Sequence, residues 1–346
     1  MKVFKLTGPD DHNGINAFLE VARQVYKDNP IWVPESDQAF LQRYKAWQTS
    51  DNVTIQAFVA LEDDQPVARA CAILNKGSVD NDSRPIGWIG FFETLEKHQD
   101  AGCAILSECE SFLCEAGVKS VLAPKVDNLL VGLLVTGFDQ PQTVLTNYNP
   151  PYYLDVFRKM GYHVTTILRT FNYLRGSAKL PDVNLSGFTT REFNINQLHS
   201  ELLIFNRLQN NIFAGINNYA PRTFEQDQEM VQSLLPFIDS ELIIIAEDAS
   251  GEPVGLLICL PDIYQSYRDH DIKRGRVISI GVVPGWKTKG VGALMGSHLA
   301  RNLIKKDYQY LEASWILSGN IPPQNLARRF NANAGKEFVL LGKSCN

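Results

Sequence analysis

The chain has 346 residues, of which 45% are hydrophobic and 21% charged, with a formal net charge of −5 and a pI near 5.7. Such a composition belongs to an ordinary globular protein of about two domains and lacks the basic excess of a nucleic-acid binder. No apolar run approaches the ~18 residues of a membrane span.

The helical spacing of Ile15, Phe18, Leu19, Ala22 and Val25 predicts a helix over 15–26, ended by Asn29-Pro30. Strands are expected at 54–61 and 67–74 around a turn at 63–66, then at 86–93. A helix over 97–116 and a strand at 118–124 follow. The second half repeats this order: a hairpin at 241–246 and 254–260, a strand at 277–283, a helix from Gly290 and a strand at 310–315. Residues 277–283 are matched with 86–92, and Asn320-Ile321-Pro322-Pro323 with Asn149-Pro150-Pro151. The first half carries roughly 20 extra residues in 125–148, where Thr143–Thr146 alternates like a short strand. Two copies of one α/β domain are expected, 1–175 and 187–346, joined by a polar segment at 175–187.

Chemistry concentrates in the second copy. The strand 277–283 stops at Pro284-Gly285, and a loop with Lys287, Thr288 and Lys289 leads into Gly290-Val291-Gly292 at the head of a helix. Glycines there admit a ligand close to the backbone, and the unpartnered N–H groups of a first helical turn favour phosphate oxygens. A nucleotide P-loop is excluded, because Gly290 is followed by Val291 rather than Lys-Ser/Thr; a dinucleotide fingerprint fails at Met295. The matching stretch of the first copy, 94–100, has no Gly-x-Gly and carries acidic residues, which would repel a pyrophosphate. Among the six histidines no HExxH or HxH pair occurs, so no metal site is expected.

Val282-Val283-Pro284, then Lys287-Thr288-Lys289-Gly290-Val291-Gly292 and Leu294 resemble the acyl-CoA loop of the Gcn5-related N-acetyltransferases (GNAT). Lys287 departs from that pattern, which uses Arg or Gln; it keeps the charge without the bidentate fork. Phe91-Phe92-Glu93, Gly137-Phe138-Asp139 and YNPPYY at 148–153 resemble the first half of bacterial tandem GNAT proteins, and Leu260-Pro261-Asp262 and SWIL at 314–317 their second half. The resemblance implies two tandem GNAT folds of the α/β (α+β) class. Each would be a twisted, mostly antiparallel sheet flanked by helices and splayed between its fourth and fifth strands.

It further implies an acyl-CoA-dependent N-acyltransferase carrying an acetyl or longer chain directly to a primary amine of a small molecule, amino acid or peptide. The co-substrate would be acetyl-CoA or a longer acyl-CoA, with no metal, held by Val282, Val283, Lys287, Thr288, Lys289, Gly290, Val291 and Gly292. An oxyanion donor is expected near 281–283. Asp262, Glu312 and Asn320 are the catalytic candidates; the helix after Asn320 lacks the tyrosine acid the family often places there. Asp139, Tyr148, Tyr152 and Trp315 are candidates for gripping the acceptor. The alternative is a non-catalytic acyl-CoA sensor of the same fold. Six cysteines without CxxC or an even framework, with Cys103, Cys109 and Cys114 at helical spacing, read as packed thiols. With no signal-peptide core at the start, a cytoplasmic setting is expected.

Overall fold

The computed structural model describes residues 1–80, 82–177, 183–215, 219–269 and 271–345, without the side chain of Ser233. The chain divides into two compact units, Met1–Ile167 with Glu337–Asn346, and Leu168–Lys336. The segment 175–187 lies within the second unit, and its residues 178–182 fall outside the described ones.

In the first unit β1 (Lys2–Lys5) is followed by α1 (His12–Val25) and α2 (Asp37–Gln48). Asp11 starts α1 by accepting from Gly14 N, and Ile15, Phe18, Leu19, Val21 and Ala22 are its buried residues. Next come β2 (Val53–Glu62), β3 (Gln65–Val79) and β4 (Pro85–Thr94). The β2–β3 turn holds Asp63 and Asp64 at φ 48° and 61°, the left-handed geometry that suits a tight hairpin. Helix α3 (Gln99–Glu115) leads to β5 (Ser120–Ala123), then β6 (Leu133–Thr136), α4 (Tyr153–Lys159) and β7 (His163–Leu174). Strands β1 to β4 run antiparallel, and β5 lies parallel to β4. Phe58, Ile89, Ile105, Leu106 and Phe157 are in its buried core.

The extra segment holds its strand at β6, not at Thr143–Thr146. Those four residues form a turn instead: Thr146 Oγ1 donates to Thr143 O at 2.7 Å and accepts from Thr143 N at 3.2 Å. Threonine hydroxyls satisfy the backbone locally there and replace ladder bonds.

The second unit repeats the plan. Its elements are β8 (Phe188–Glu192), α5 (Leu198–Phe213), α6 (Phe224–Leu234), β9 (Ile243–Asp248), β10 (Pro253–Pro261), β11 (Arg274–Val282), α7 (Val291–Lys305), β12 (Tyr310–Leu317) and α8 (Ile321–Arg329); β13 (Asn333–Ser344) starts in this unit, and from Glu337 on it belongs to the first. Strands β8 to β11 are antiparallel, β12 lies parallel to β11, and β7 pairs with β12 over residues 168–174. Residues 341–344 of β13 pair with β5 in the first unit.

Equivalent backbone bonds set the register of the repeat. Leu95 N reaches Val67 O as Val283 N reaches Val254 O, an offset of 188 at the donors on β4 and β11 and 187 at the acceptors on β3 and β10; the former displaces the expected match of 277–283 with 86–92 by three residues. At the ends of α3 and α7, Val118 N bonds to Leu113 O and Tyr308 N to Leu303 O, an offset of 190. After α4 and α8, Tyr162 N bonds to Phe157 O and Ala332 N to Ala327 O, an offset of 170.

Candidate active site in the second unit

Strands β11 and β12 pair only over Arg274–Val277 and Tyr310–Ala313, although both continue several residues further. Beyond Val277 and Ala313 their facing edges have parted. Val283 N is used by Val254 O, and Leu256 opposes Gly281 in the antiparallel ladder with β10. Since bonding alternates along such a ladder, the N–H of Val282 is directed to the β12 side, into the parting.

Helix α7 begins eight residues after Val283, whereas α3 begins four after Leu95. The longer connection carries Lys287, Thr288 and Lys289, all exposed. The Lys289 ammonium lies 4.3 Å from the Trp286 ring centre, and that ring packs edge-on against Phe188. Gly290 caps the helix at φ 92°, a conformation costly for any residue with a Cβ, and supplies no side-chain cap. Gly292 is different. A Cβ placed on it meets nothing closer than Leu326 Cδ2 at 3.6 Å, so packing does not demand glycine. A bare first turn beside two lysines fits a pyrophosphate.

The first unit shows what happens when the same place is filled. Thr94, the counterpart of Val282, donates its N–H to the Tyr153 hydroxyl at 2.9 Å. Tyr153 donates in turn to Glu93 at 2.6 Å, and Tyr26 donates to the same carboxylate oxygen at 2.8 Å. Burial pushes the Glu93 carboxyl up to about 7, against the pull of Arg69 and the two tyrosines. This network went unread in the sequence; the Tyr152-Tyr153 pair following Pro150-Pro151 was the available signal.

Two of the catalytic candidates, Asp262 and Glu312, are held in buried ion pairs. Asp262 is fully buried, 3.5 Å from Arg274 Nε, and its backbone N–H binds Arg274 O. Glu312 is fully buried, pairs with Lys336 at 2.9 Å and accepts from Ser314 Oγ at 3.1 Å. Burial pulls the Lys336 ammonium down, and the Glu312 charge opposes that shift. Arg276 donates from Nε to Ser314 Oγ and lies 4.9 Å from the ring of half-buried Trp315, so Trp315 borders the buried cluster of Arg276, Glu312 and Ser314. Asn320 is half-buried and precedes α8 without capping it. In the first unit Asp139 is exposed, Tyr148 donates to Phe138 O and Tyr152 to Thr94 O.

The cysteines require a correction. Cys114, at the end of α3, is disulfide-bonded to Cys345, just past β13. The pairing of 341–344 with β5 brings residues 231 apart in sequence together, which spacing could not reveal. Cys71, Cys109 and Cys259 are buried thiols, each pushed up by desolvation. Among the described residues no helix is long and apolar enough to cross a membrane, and no group of three His, Cys, Asp or Glu is placed to hold a metal.

No family model matches the chain. Curated relatives include protein YghO of Escherichia coli, 23% identical over 367 residues covering 96% of this chain and 93% of that protein. A bacterial ceramide synthase of Caulobacter vibrioides is 20% identical over 370 residues, covering 95% and 94%. Among solved structures, a GCN5-related N-acetyltransferase from Sphaerobacter thermophilus superposes with a TM-score of 0.61 at 15% identity, covering 99% of this chain and 96% of its own. A tandem GNAT protein from the clavulanic acid biosynthesis pathway gives 0.65 at 10% identity, covering 100% and 99%. With the parted strands and glycine-opened helix of the second unit, and the same order of elements repeated in the first, the chain has the fold of the tandem Gcn5-related N-acetyltransferases.

Proposed function

We propose that the second unit is an acyl-CoA-dependent N-acyltransferase acting on a primary amine. The observation that carries the reading is the parting of β11 from β12 beside the open, lysine-flanked head of α7. Lys287, Thr288, Lys289 and the N–H groups of 290–292 would hold the pyrophosphate, and Val282 and Val283 would flank the arm that leads to the thioester. The neutral amine attacks the thioester carbonyl carbon directly; a C–N bond forms as the C–S bond breaks. Negative charge gathering on the carbonyl oxygen meets the Val282 N–H. The amine's proton leaves to solvent, and the thiolate takes one up. A relative named a ceramide synthase agrees with an amine acceptor, ceramide being an N-acylated long-chain amino alcohol.

One observation favours a second reading, a non-catalytic acyl-CoA sensor. Asp262 and Glu312 are both committed to buried ion pairs, and α8 offers no tyrosine over Asn325–Phe330. Thiol release from a panel of acyl-CoAs, with amines of several classes and mass analysis of the amide, separates the two. Saturable CoA binding without amide formation from any amine would leave only the sensor.

A further inference from the structure

Beneath α7 the second unit is hollow. A cavity of about 160 Å³ is walled by Val277 and Ile280 of β11, Ala313 and Ile316 of β12, and Leu299 and Leu303 of α7. Its far rim is formed by Leu174 and Ile304, both exposed. Interiors are close-packed and voids cost stability, so a hollow of this size needs a reason.

The first unit supplies an internal control. The 190 offset places Leu106 where α7 has Gly296, and the 170 offset places Tyr153 and Phe157 where α8 has Pro323 and Ala327. Leu106, Tyr153 and Phe157 are fully buried in the first unit's core, while Gly296, Pro323 and Ala327 line the cavity. Two large side chains of α4 correspond to two small ones of α8, whereas the space beside Gly296 is taken by the Phe330 ring, 2.9 Å from where a Cβ would stand. The same fold is solid in one unit and open in its repeat.

Position and lining select the occupant. The four residues at the parting strands form the near wall, where the thioester carbon would sit. From there the cavity follows α7 from Gly296 to Ile304, about 12 Å at the helical rise, away from the loop that would hold the pyrophosphate. A donor with its phosphates at Gly292 and its carbonyl at the parting therefore directs its acyl tail along this path. The walls are mainly carbon and would leave the amide groups of the pantetheine arm unsatisfied. A dry apolar cavity of about 150 Å³ admits one benzene, so this one admits about six carbons, and longer tails leave past Leu174 and Ile304.

We infer that the cavity receives the hydrocarbon tail of the donor, which makes the donor a medium- or long-chain acyl-CoA rather than acetyl-CoA. This rests on the acyl-CoA reading above. Each methylene taken into the cavity tightens binding about fourfold until it is full.

The test titrates the intact chain with CoA and with acetyl-, octanoyl- and palmitoyl-CoA below their micelle concentrations. Octanoyl-CoA is expected to bind at least about a hundredfold more tightly than acetyl-CoA. Ala300→Phe, which fills the cavity from α7, should flatten that rise while CoA itself binds as before. Should that variant not fold, Ile304→Glu on the exposed rim should weaken palmitoyl-CoA alone. CoA binding with no dependence on chain length would overturn the inference and leave the acyl-CoA reading standing. If neither CoA nor any thioester binds, both fall.

Discussion

Tyr153 in the first unit and Pro323 in the second stand at the same turn of equivalent helices, and only the tyrosine reaches the end of its sheet. Its hydroxyl takes the N–H of Thr94 at 2.9 Å, the group whose counterpart on Val282 is directed into the parted strands. One position thus separates a closed copy from an open one. The missing tyrosine on α8 and the hollow beside it are two aspects of the same difference.

Replacing Gly292 by valine is the sharpest test of the donor loop. A Cβ there meets only Leu326 at 3.6 Å, so the variant should fold with little loss. The β-branched side chain would cover the first-turn N–H groups and raise the Kd for CoA by at least about tenfold, some 1.4 kcal/mol. Thermal unfolding and titration together check this. Undiminished affinity in a folded variant would remove the loop from the site.

We propose that Glu312 serves the packing rather than acting as a base. Glu312→Ala leaves Lys336 buried beside Arg276 without its carboxylate, a change that typically costs about 3–5 kcal/mol. Denaturant unfolding should show that loss, while kcat per folded molecule stays near the wild-type value. A kcat that collapses in a variant of ordinary stability would restore Glu312 as a catalytic residue.

Glu93 gives the first unit a pH dependence of known sign. Its folded-state pKa is raised to about 7 from 4.5, so between those values the folded chain holds a proton that the unfolded chain has released. Its contribution is complete below about 4.5 and is lost as pH rises toward 7, by at most about 3 kcal/mol. Glu93→Gln removes the term. The variant should therefore gain stability relative to wild type as pH goes from 5 to 8, read from urea midpoints; a constant difference would contradict the assignment.

Most of the sheet was legible because its strands are apolar runs with turn residues at each end, as in 254–260 and 277–283. The donor loop was legible for the same local reason, glycines and lysines at fixed spacing. What escaped depends on contacts distant in sequence. Helices α2, α5 and α6 were not anticipated; Phe40 and Tyr44 of α2 are buried with no long apolar stripe around them. The partners of Asp262 and Glu312 could not be read from the sequence because the cations paired with them lie 12 and 24 residues away. The cavity is defined by what Pro323 and Ala327 lack, and small residues announce nothing until the opposite wall is known.

The disulfide separates stability from catalysis. Cys114–Cys345 closes a loop of 231 residues, and opening such a loop costs about 2–5 kcal/mol. Reduction should lower the unfolding midpoint of the first unit, whereas amide formation below that midpoint should continue at its former rate. Cys71, Cys109 and Cys259 are buried with raised thiol pKa values and offer no thiolate nucleophile. Mass spectrometry during turnover should find no acyl-cysteine, and a kinetically competent one would refute direct transfer.

The acceptor side is tested at Asp139. Deleting 126–146 would be uninformative, because β6 pairs with β13 there and Asn149 accepts from Leu134 N at 2.7 Å and donates back to its carbonyl. Point changes avoid that. Asp139 is exposed in a turn closed by Gln140 N on Gly137 O, and Tyr148 steadies the turn by donating to Phe138 O at 3.1 Å. We propose that the Asp139 carboxylate attracts a cationic acceptor. An exposed charge pair is worth about 0.2–1 kcal/mol, so Asp139→Asn should raise the acceptor KM about threefold and leave kcat unchanged. Tyr148→Phe releases the turn and should act in the same direction. The acyl-CoA Kd should be the same in all three proteins. If Asp139→Asn leaves the acceptor KM unchanged, the segment only packs the first unit. If the Kd for acyl-CoA rises as well, Asp139 does not act on the acceptor alone.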